Sequence, residues 1–435
     1  MNRRTFLSAA VLCPGISGAV AAQAPDAPEG AGGVSARTDC VRADAAARGA
    51  DFFFRDGDRV VMIGDSITEQ HLHSNYVEIY ARSRFPDWKL AFRNVGIGGD
   101  TSAGGNRRAA RDILAFEPTA VTITFGMNDA GYRRPEDPVR REAYVRGLQG
   151  MADQLKPRGV RVAVLSSSPV EEKDDGPAMQ GYNETLERFA AAAREVAERN
   201  GFRFADQFRP HVAALQRARD VDPKRRINGG DAVHPGQSGQ YLMAWAILRG
   251  LGAPNRIASA TVDAVTGRVV EAENCAITAV RTGGGGLRFV RSAGALPLWI
   301  APAGRPILEW APLQEELNAC RLRVIGLNPR AYELRVDGEP CGSFRGPDLA
   351  LGVNLAGIWE GPLARRAQAV HDAVFTKNRY YHDQIFRGVV LNNQVPPEQK
   401  DGLIRQREAA LPALEQAIAA ALTPRLHLFE LRPTP

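Results

Sequence analysis

Residues 51–253 alternate between short apolar runs and longer stretches in which apolar residues recur every three or four positions. The short runs, many of them rich in β-branched residues, predict buried strands, and they span 59–63, 90–95, 120–125, 160–166 and, more weakly, 202–205. The longer stretches predict amphipathic helices, and they span 76–83, 106–116, 142–155, 182–199 and 236–251. Strands that alternate with helices form right-handed βαβ units. Residues 51–253 are therefore predicted to form an α/β domain with a parallel sheet between two layers of helices.

The pattern changes after residue 253. Short β-rich segments are separated there by Gly, Pro or Asn, and they span 257–270, 276–281, 287–291, 296–300, 307–310 and 322–325. A further run from Tyr332 to Val336 is followed by Asp337 and Gly338, which is a strong signal for a β-hairpin turn. Residues 254–355 are therefore predicted to form a small all-β module.

The last part of the chain, residues 356–435, is predicted to be a helical extension. Helical patterns span 363–386 and 399–422, and residues 425–431 are a candidate short strand. Helices at this end of a chain are expected to pack back onto an earlier domain.

The first fifty residues carry a different signature. Arg3 and Arg4 precede a short apolar stretch and a small-x-small site that ends at Ala24. This order is typical of a cleaved export signal, and the arginine pair resembles the twin-arginine type. Residues 1–24 are therefore predicted to be a signal peptide and residues 25–50 a linker. The mature protein is expected in the periplasm or outside the cell.

Composition and charge narrow the classes of partner. The content of 44% hydrophobic and 24% charged residues is ordinary for a soluble, globular protein. The formal net charge is +6, but the basic residues are interspersed with acids, so no nucleic-acid partner is expected. No apolar run reaches the roughly 18 residues that a membrane span needs. An oxidising compartment permits disulfides, and the sequence leaves open how the cysteines pair; the four outside the signal are Cys40, Cys275, Cys320 and Cys341.

The predicted strand 59–63 is followed by Gly64, Asp65 and Ser66. This order places a hydroxyl at the carboxyl end of a strand, the edge at which open α/β sheets bind their ligands. A serine there acts as a nucleophile when a neighbouring base takes its proton. The same residues also fit a simple turn in which Asp65 or Ser66 caps the next helix.

Two more stretches of interest follow predicted strands. The glycine-rich stretch 94–101 lacks the dinucleotide-binding pattern, because Thr101 stands where that pattern needs glycine or alanine. A glycine-rich strand end can still present a backbone N–H at the sheet edge. In the stretch 126–129, the side-chain amide of Asn128 can donate to a developing oxyanion. A tight βα turn and an Asx-turn are the structural alternatives.

Asp231 stands three residues before His234, just ahead of the last predicted helix of the α/β domain. This spacing puts a carboxylate and an imidazole on one compact turn. The carboxylate can then hold one ring nitrogen while the other nitrogen faces a serine. A surface turn without catalytic function is the alternative.

Taken together, these stretches carry a family resemblance. The blocks Gly64-Asp65-Ser66, Gly99, Gly126-Met127-Asn128-Asp129 and Asp231-Ala232-Val233-His234 resemble the four sequence blocks of the SGNH (GDSL) hydrolase superfamily. The resemblance covers residues 59–251 and implies a flavodoxin-like three-layer αβα fold and the hydrolysis of carboxylic esters. Ile67 stands where the family usually has Leu, and Met127 fills a position that the third block leaves variable.

The resemblance also implies a role for each catalytic residue. Ser66 would be the nucleophile, His234 the general base, and Asp231 the group that orients and charge-stabilises the imidazole. The backbone N–H groups of Ser66 and Gly99, with the side-chain amide of Asn128, would form the oxyanion hole. No cofactor and no metal is expected.

Residues near the four blocks are weaker candidates. Four of them are candidates for substrate binding: Asp65, Met127, Tyr132 and Arg133. Asp65 is favoured as a turn-forming residue, and the loop at 132–134 also fits a solvated basic surface. His71 and His73 are expected to line or cap the helix after the nucleophile, and the acidic segment 171–176 is a candidate rim of the cleft.

The leading functional prediction is an exported serine esterase that removes short acyl groups, above all acetyl groups, from carbohydrate. The substrate would be a small-molecule or glycan ester, and the oligomeric state is left open. A lipolytic esterase, a thioesterase and an acyltransferase are alternatives on the same fold. A non-catalytic glycan-binding or scaffold protein is the alternative from a different class.

Overall fold

The computed structural model describes residues 51–172 and 179–434. The predicted signal peptide, the linker, Cys40 and most of the acidic segment 171–176 lie outside these residues, and the corresponding expectations stay predictions.

A five-stranded parallel sheet lies at the centre of the first domain, with strand order β2-β1-β3-β4-β5. Its strands are β1 (Arg59–Gly64), β2 (Ala91–Asn94), β3 (Ala120–Thr124), β4 (Arg161–Leu165) and β5 (Arg203–Ala205). Every residue of β3 is buried, as expected for a parallel strand that is covered on both faces. The predicted α/β fold with a central parallel sheet is confirmed.

Helices cover both faces of this sheet. They are α1 (Ser66–Glu69), α2 (Leu72–Arg84), α3 (Ser102–Asp112), α4 (Pro138–Leu155), α5 (Tyr182–Asn200), α6 (Phe208–Val221) and α7 (Gln237–Gly250). Helices α3, α4 and α5 contact one another in a row, whereas α2 and α6 both contact α7. Helix α6 does not stand out in the sequence, because three of its five buried residues are alanine or histidine, namely His211, Ala214 and Ala218.

Two further sheets pack face to face after the first domain, with orders β13-β10-β6-β7 and β12-β11-β14-β9-β8. The strands are β6 (Arg256–Asp263), β7 (Val269–Glu273), β8 (Cys275–Gly283), β9 (Gly286–Ala293), β10 (Ala319–Ile325), β11 (Ala331–Val336), β12 (Glu339–Arg345), β13 (Val353–Asn354) and β14 (Leu426–Pro433). Leu322 from one sheet and Phe289 from the other belong to one buried core. The predicted hairpin joins β11 to β12 through Asp337 and Gly338, both with positive φ.

Two segments that were expected to be strands of this β module take other structures. Residues 296–300 form no regular element, and Pro302–Glu309 form a 3₁₀ helix that leads to α8 (Leu313–Leu317). Their apolar side chains, among them Leu298 and Ile307, are buried in the core of the first domain. Three prolines, at positions 297, 302 and 306, lack the N–H that a strand ladder needs. The segment 257–270 also divides, into β6 and β7, at a turn where Gly267 has φ +73°.

The C-terminal part contains α9 (Gly346–Leu351), α10 (Gly361–Tyr380), α11 (Pro397–Glu408) and α12 (Leu411–Leu422). Helix α10 continues through wider π-helical turns over Tyr381–Val390 and packs on α2. The single helix expected at 399–422 is two helices, and Pro412 lies in the first turn of the second. The final strand, β14, pairs with β9 and β11. The sheet of the β module therefore includes a strand from the region predicted as a helical extension.

No helix in the two described ranges combines the length and the apolar character needed to cross a membrane. Within the same ranges, no disulfide joins the buried residues Cys275, Cys320 and Cys341. The Cys275 thiol donates to the carbonyl of Ser259 at 3.2 Å, and the Arg291 guanidinium donates to the Cys320 sulfur at 3.5 Å.

Candidate active site

Ser66 lies in a tight turn between β1 and α1. Asp65 is the extended N-cap residue of α1, and its carboxylate accepts a hydrogen bond from the N–H of Ile67 at 3.0 Å. Gly64 is required before it, because a Cβ there would lie 2.1 Å from Thr68 Oγ1 and 2.7 Å from the carbonyl oxygen of Thr124. This turn places Ser66 as the first helical residue at the carboxyl edge of the sheet.

Three side chains form a continuous hydrogen-bonded chain at this edge. Ser66 Oγ lies 2.9 Å from His234 Nε2, and His234 Nδ1 lies 3.0 Å from Asp231 Oδ2. The other carboxylate oxygen of Asp231 accepts from the backbone N–H groups of Val233 and His234, both at 2.7 Å. The carboxylate thus fixes the imidazole so that Nδ1 donates to Asp231 and Nε2 accepts from the serine hydroxyl.

The side chains of His234 and Asp231 are both open to solvent. The side chain of His234 is 37% exposed and that of Asp231 is 63% exposed. Partial burial on its own would raise the pKa of the Asp231 carboxyl, but the hydrogen bonds that it accepts from His234 and Val233 lower the pKa overall. Asp231 is therefore an anion near neutral pH.

The candidate oxyanion donors belong to the serine turn, to the loop at Gly98 and Gly99, and to the turn that carries Asn128. The loop at Gly98 and Gly99 passes close to it, since a Cβ built on Gly98 would stand 4.0 Å from Ser66 Cβ. Gly99 has φ +73°, the left-handed region that glycine adopts without strain. No acceptor among the described residues pairs with the N–H of Ser66 or of Gly99. The side-chain amide of Asn128 joins this loop by donating to the carbonyl of Asp100 at 3.0 Å.

Asp129 positions the turn that carries Asn128, a role that the sequence did not single out. One oxygen of its buried carboxylate accepts from the N–H and the hydroxyl of Ser102 at 2.9 and 2.6 Å, and the other accepts from the N–H of Gly126 at 3.1 Å. These bonds tie the end of β3 to the start of α3. The signal that could have identified Asp129 is its place directly after Asn128, combined with a helix start at Thr101 and Ser102.

The C-terminal part of the chain reaches the same loop through Glu69 of α1. One oxygen of Glu69 accepts from the N–H of Gly98 at 2.6 Å, and the other accepts from Arg387 Nε at 2.6 Å. His382 Nε2 lies 3.4 Å from that second oxygen. Burial alone would raise the pKa of Glu69, but the hydrogen bonds from His382 and Arg387 and the charge of Arg387 lower it to about 2. Contacts over such sequence separations leave no local signal.

The four candidates for substrate binding divide into two pairs. Tyr132 is 40% exposed, and its hydroxyl donates to Asn128 Oδ1 at 3.1 Å. Arg133 is exposed, and its side chain has no hydrogen-bond or ion-pair partner in the described part of the chain. Asp65 and Met127 are buried, only 3% and 1% exposed. The structure therefore places Asp65 in the turn and Met127 in the core, away from the open side of the site.

The two nearby histidines and Glu171, the first residue of the acidic segment, lie in largely buried surroundings. Burial lowers the pKa of His71 to about 3 and that of His73 to about 4, so both are neutral near pH 7. His73 Nδ1 lies 2.7 Å from Gln240 Oε1, which links α2 to α7. Glu171 is buried rather than on a rim: its N–H donates to the carbonyl of Ala232 at 2.9 Å, beside His234. Among the residues described, no group of three or more His, Cys, Asp or Glu is arranged to hold a metal ion.

Asp65 gives a prediction about pH and stability. Burial, assisted by the charges of Asp129 and Asp100, raises the pKa of Asp65 to about 7, whereas an unfolded aspartate titrates near pH 3.9. The folded state then holds a proton that the unfolded state has released, so stability falls as the pH rises from about 4 to 7. Asp65→Asn keeps the helix cap and lacks this titration.

We expect Asp65→Asn to gain stability relative to the wild type across this window, by at most about 1.4 kcal/mol per pH unit. Urea unfolding at pH 4, 5.5, 7 and 8 measures the difference. Asp153→Asn, on the exposed part of α4, is the control and should show no such trend. A difference between Asp65→Asn and the wild type that stays constant with pH would contradict the prediction.

Comparison with known proteins places this geometry in a family. Residues 62–242 match the model of the GDSL-like Lipase/Acylhydrolase family. An acetylxylan esterase of Geobacillus stearothermophilus is 24% identical over 217 residues, which cover 45% of this chain and 94% of that protein. The solved structure of a gut microbial diltiazem-metabolizing enzyme is 27% identical with a TM-score of 0.77, and the match covers 88% of this chain and 98% of that one. The α/β domain is an SGNH (GDSL) hydrolase domain, and the protein is a carboxylic ester hydrolase.

Proposed function

We propose that this member of the SGNH (GDSL) hydrolase superfamily removes short acyl groups, acetyl above all, from carbohydrate esters through an acyl-enzyme on Ser66. The observation that carries the proposal is the chain from Ser66 Oγ to His234 Nε2, at 2.9 Å, and from His234 Nδ1 to Asp231, at 3.0 Å. A serine hydroxyl is a poor nucleophile until a base takes its proton, and His234 is placed to do so.

The reaction runs in two halves. Ser66 Oγ attacks the acyl carbonyl carbon while its proton moves to His234 Nε2, and Asp231 stabilises the imidazolium that results. The tetrahedral intermediate collapses as His234 returns the proton to the sugar oxygen, so that the C–O bond of the ester breaks and the alcohol leaves. Water then attacks the acyl-serine with His234 again as base, which releases the carboxylic acid and restores the serine hydroxyl.

Three donors stabilise the negative oxygen of each tetrahedral intermediate. The N–H groups of Ser66 and Gly99 have no acceptor among the described residues, and the Asn128 amide is held against the same loop. Donors that are positioned before the reaction need no reorganisation when the charge develops. Removing one of them typically raises the activation barrier by about 3 kcal/mol. Ser66, Gly99 and Asn128 are thus the proposed oxyanion hole.

The cavity beside the serine loop suits a polar part of the substrate. It borders Gly98 and Gly99 and is lined mainly by glycine and charged residues, with Ile97 as the single aliphatic side chain on its wall. A long hydrocarbon chain would gain little by entering it. The likeness to an acetylxylan esterase supports an acetyl group and a carbohydrate alcohol.

Covalent labelling tests the acyl-enzyme mechanism. Diethyl 4-nitrophenyl phosphate should phosphorylate Ser66, block hydrolysis of 4-nitrophenyl acetate, and appear by peptide mass spectrometry on the tryptic peptide that contains Ser66. Prior denaturation should abolish the label, since the reaction needs His234. A protein that hydrolyses the acetate ester yet takes up no label, or takes it up on another serine, would refute the proposed nucleophile.

A series of 4-nitrophenyl esters from acetate to decanoate, with acetylated xylo-oligosaccharide alongside, tests the proposed substrate. We expect kcat/KM to fall with chain length and acetate to be released from the oligosaccharide. A preference for decanoate would favour the lipolytic alternative instead.

A further inference from the structure

A cavity of about 520 Å³ opens beside the loop that carries Gly99. One wall is the loop 97–100, and the other is α3, which contributes Gly104, Arg107, Arg108 and Arg111. The volume is in the range of small-molecule sites and is large enough for a sugar unit. The cavity borders the Gly98–Gly99 loop on one side, and the same loop passes close to Ser66, since a Cβ on Gly98 would stand 4.0 Å from Ser66 Cβ.

The charges on the α3 wall do not cancel. Arg108 pairs with Asp100 at 2.7 Å and with Asp112 at 3.0 Å. Arg111 pairs with the same Asp112 through two hydrogen bonds, at 2.6 and 2.8 Å. Two carboxylates therefore face three guanidinium groups.

Arg107 carries the uncompensated charge. Its side chain is exposed on the cavity wall, and no acidic residue in the described ranges forms an ion pair with it. Arg108, in contrast, is fully engaged: besides its ion pairs it donates to the carbonyls of Val95 and Gly64 at 2.6 and 3.2 Å. Arg108 thereby holds the strand ends in place, and Arg107 remains available for a ligand.

The loop side of the cavity is shaped to leave this cation accessible. A Cβ on Gly104 would lie 1.7 Å from Asp100 Oδ1, so a glycine there lets Asp100 lie against α3 and pair with Arg108. Gly99, with no atom near the position of a Cβ, adds no side chain to the opening. The Asp100 carboxylate, on the wall of the cavity, is thus turned toward Arg108 and does not pair with Arg107.

We propose that this cavity binds a carboxylate on the alcohol part of the substrate, with Arg107 as its partner, so that the preferred substrates are acyl esters of acidic sugars. The inference rests on the proposed function, since it assigns the substrate of the same Ser66 site. A guanidinium recognises a carboxylate through two parallel hydrogen bonds. Because Arg107 is exposed and its charge is screened by solvent, the expected gain is modest.

The experiment compares two matched substrates, O-acetylated methyl glucuronoside and O-acetylated methyl glucoside, which differ by a carboxylate in place of a hydroxymethyl group. Acetate release is followed for the full chain at 20 mM and 300 mM NaCl. We expect kcat/KM to favour the glucuronoside by about 10-fold at low salt, mainly through KM, and the preference to shrink at high salt.

Substitutions of two arginines test whether Arg107 binds the carboxylate of the sugar. Arg107→Gln should abolish the preference for the glucuronoside over the glucoside, whereas Arg107→Lys should keep part of that preference. Arg288→Gln is the matched control, because it removes an exposed positive charge from β9 of the other domain. It should leave the preference intact.

The outcomes separate this inference from the proposed function. Equal kcat/KM for the two sugars in the wild type, or a preference that survives in Arg107→Gln, would overturn the carboxylate site while the esterase stands. If Arg288→Gln also lost the preference for the glucuronoside, the preference would come from the overall charge of the protein. That result would also overturn the proposed carboxylate site. If neither sugar nor 4-nitrophenyl acetate is hydrolysed, the proposed function fails and the inference fails with it.

Discussion

Replacing Ser66 with alanine is expected to lower kcat/KM for 4-nitrophenyl acetate by on the order of 10⁴-fold or more. The hydroxyl is the atom that bonds to the acyl carbon, and no other side chain is hydrogen-bonded to His234 Nε2 in the described residues. Removing one member of a triad abolishes the covalent route and leaves only binding and the oxyanion donors. Initial rates with spectrophotometric detection of 4-nitrophenolate measure the loss.

Two further variants make this result specific. His234→Ala should cause a similar loss, and the double variant Ser66→Ala/His234→Ala should lose little more, because the two residues act as a unit. Ser343→Ala, on the exposed strand β12, is the matched control and should retain full activity. Similar rates for Ser66→Ala and the wild type would exclude the serine mechanism.

The second large effect concerns stability at the contact between α10 and α2. Glu78 is buried there with a side chain only 1% exposed, and it faces Lys377 and Arg82, which are also buried. Asn378 donates to its second oxygen at 2.7 Å. Burial alone would raise the pKa of Glu78, but the charges of Lys377 and Arg82 lower it. Glu78→Gln keeps the shape and leaves both cations with Glu415 alone, which lies 2.8 Å from Arg82 and 3.6 Å from Lys377 and is 36% exposed.

We expect Glu78→Gln to lower the free energy of unfolding by about 3–5 kcal/mol, the usual cost of breaking a buried ion pair. The double variant Glu78→Gln/Lys377→Met should recover part of this loss, because the second change removes one of the two buried cations that would otherwise share Glu415. Urea unfolding at pH 7 measures both variants. Glu142→Gln is the matched control, since Glu142 pairs with Arg146 at 2.6 Å on an exposed face, where such pairs contribute at most about 1 kcal/mol.

The effect of Glu78 has a defined pH dependence. A carboxyl with a lowered pKa stabilises the fold fully above its unfolded pKa, near 4.3, and loses this contribution as the pH falls through its folded pKa. The gap between the wild type and Glu78→Gln should therefore narrow below pH 4. A gap that stays unchanged on acidification, or a loss no larger than that of Glu142→Gln, would contradict the proposed pairing.

The elements around the site could be predicted from sequence because their signals are local. The run from Val60 to Ile63 is buried on both faces and ends at a glycine that the turn requires. Ser66 and Asn128 each follow such a strand closely, and His234 stands just before the last helix of the domain. Since parallel strands end at the same edge of a sheet, a prediction of the strands was enough to bring Ser66 and Asn128 together.

Other parts could not be predicted because they depend on partners that are distant in sequence. The apolar segment around Leu298 looks like a strand, but it is buried against α7, which lies 50 residues earlier in the chain. Glu69 holds the loop at Gly98 with one oxygen and binds Arg387, which lies 318 positions later in the chain, with the other. Met127 has the position of a substrate contact and the chemistry of a core residue, and burial of its apolar side chain decides between the two.

The position of β14 has a consequence for how the protein assembles during synthesis. This strand, Leu426–Pro433, lies between β9 and β11, so the sheet lacks a central member until residue 433 has left the ribosome. Until then β9 and β11 expose unpaired backbone edges, which can pair with other chains. The α/β domain has all of its strands by residue 205. Nascent chains that stop before residue 426 should therefore aggregate through the β module, and a peptide of residues 424–434 added in trans should reduce that aggregation.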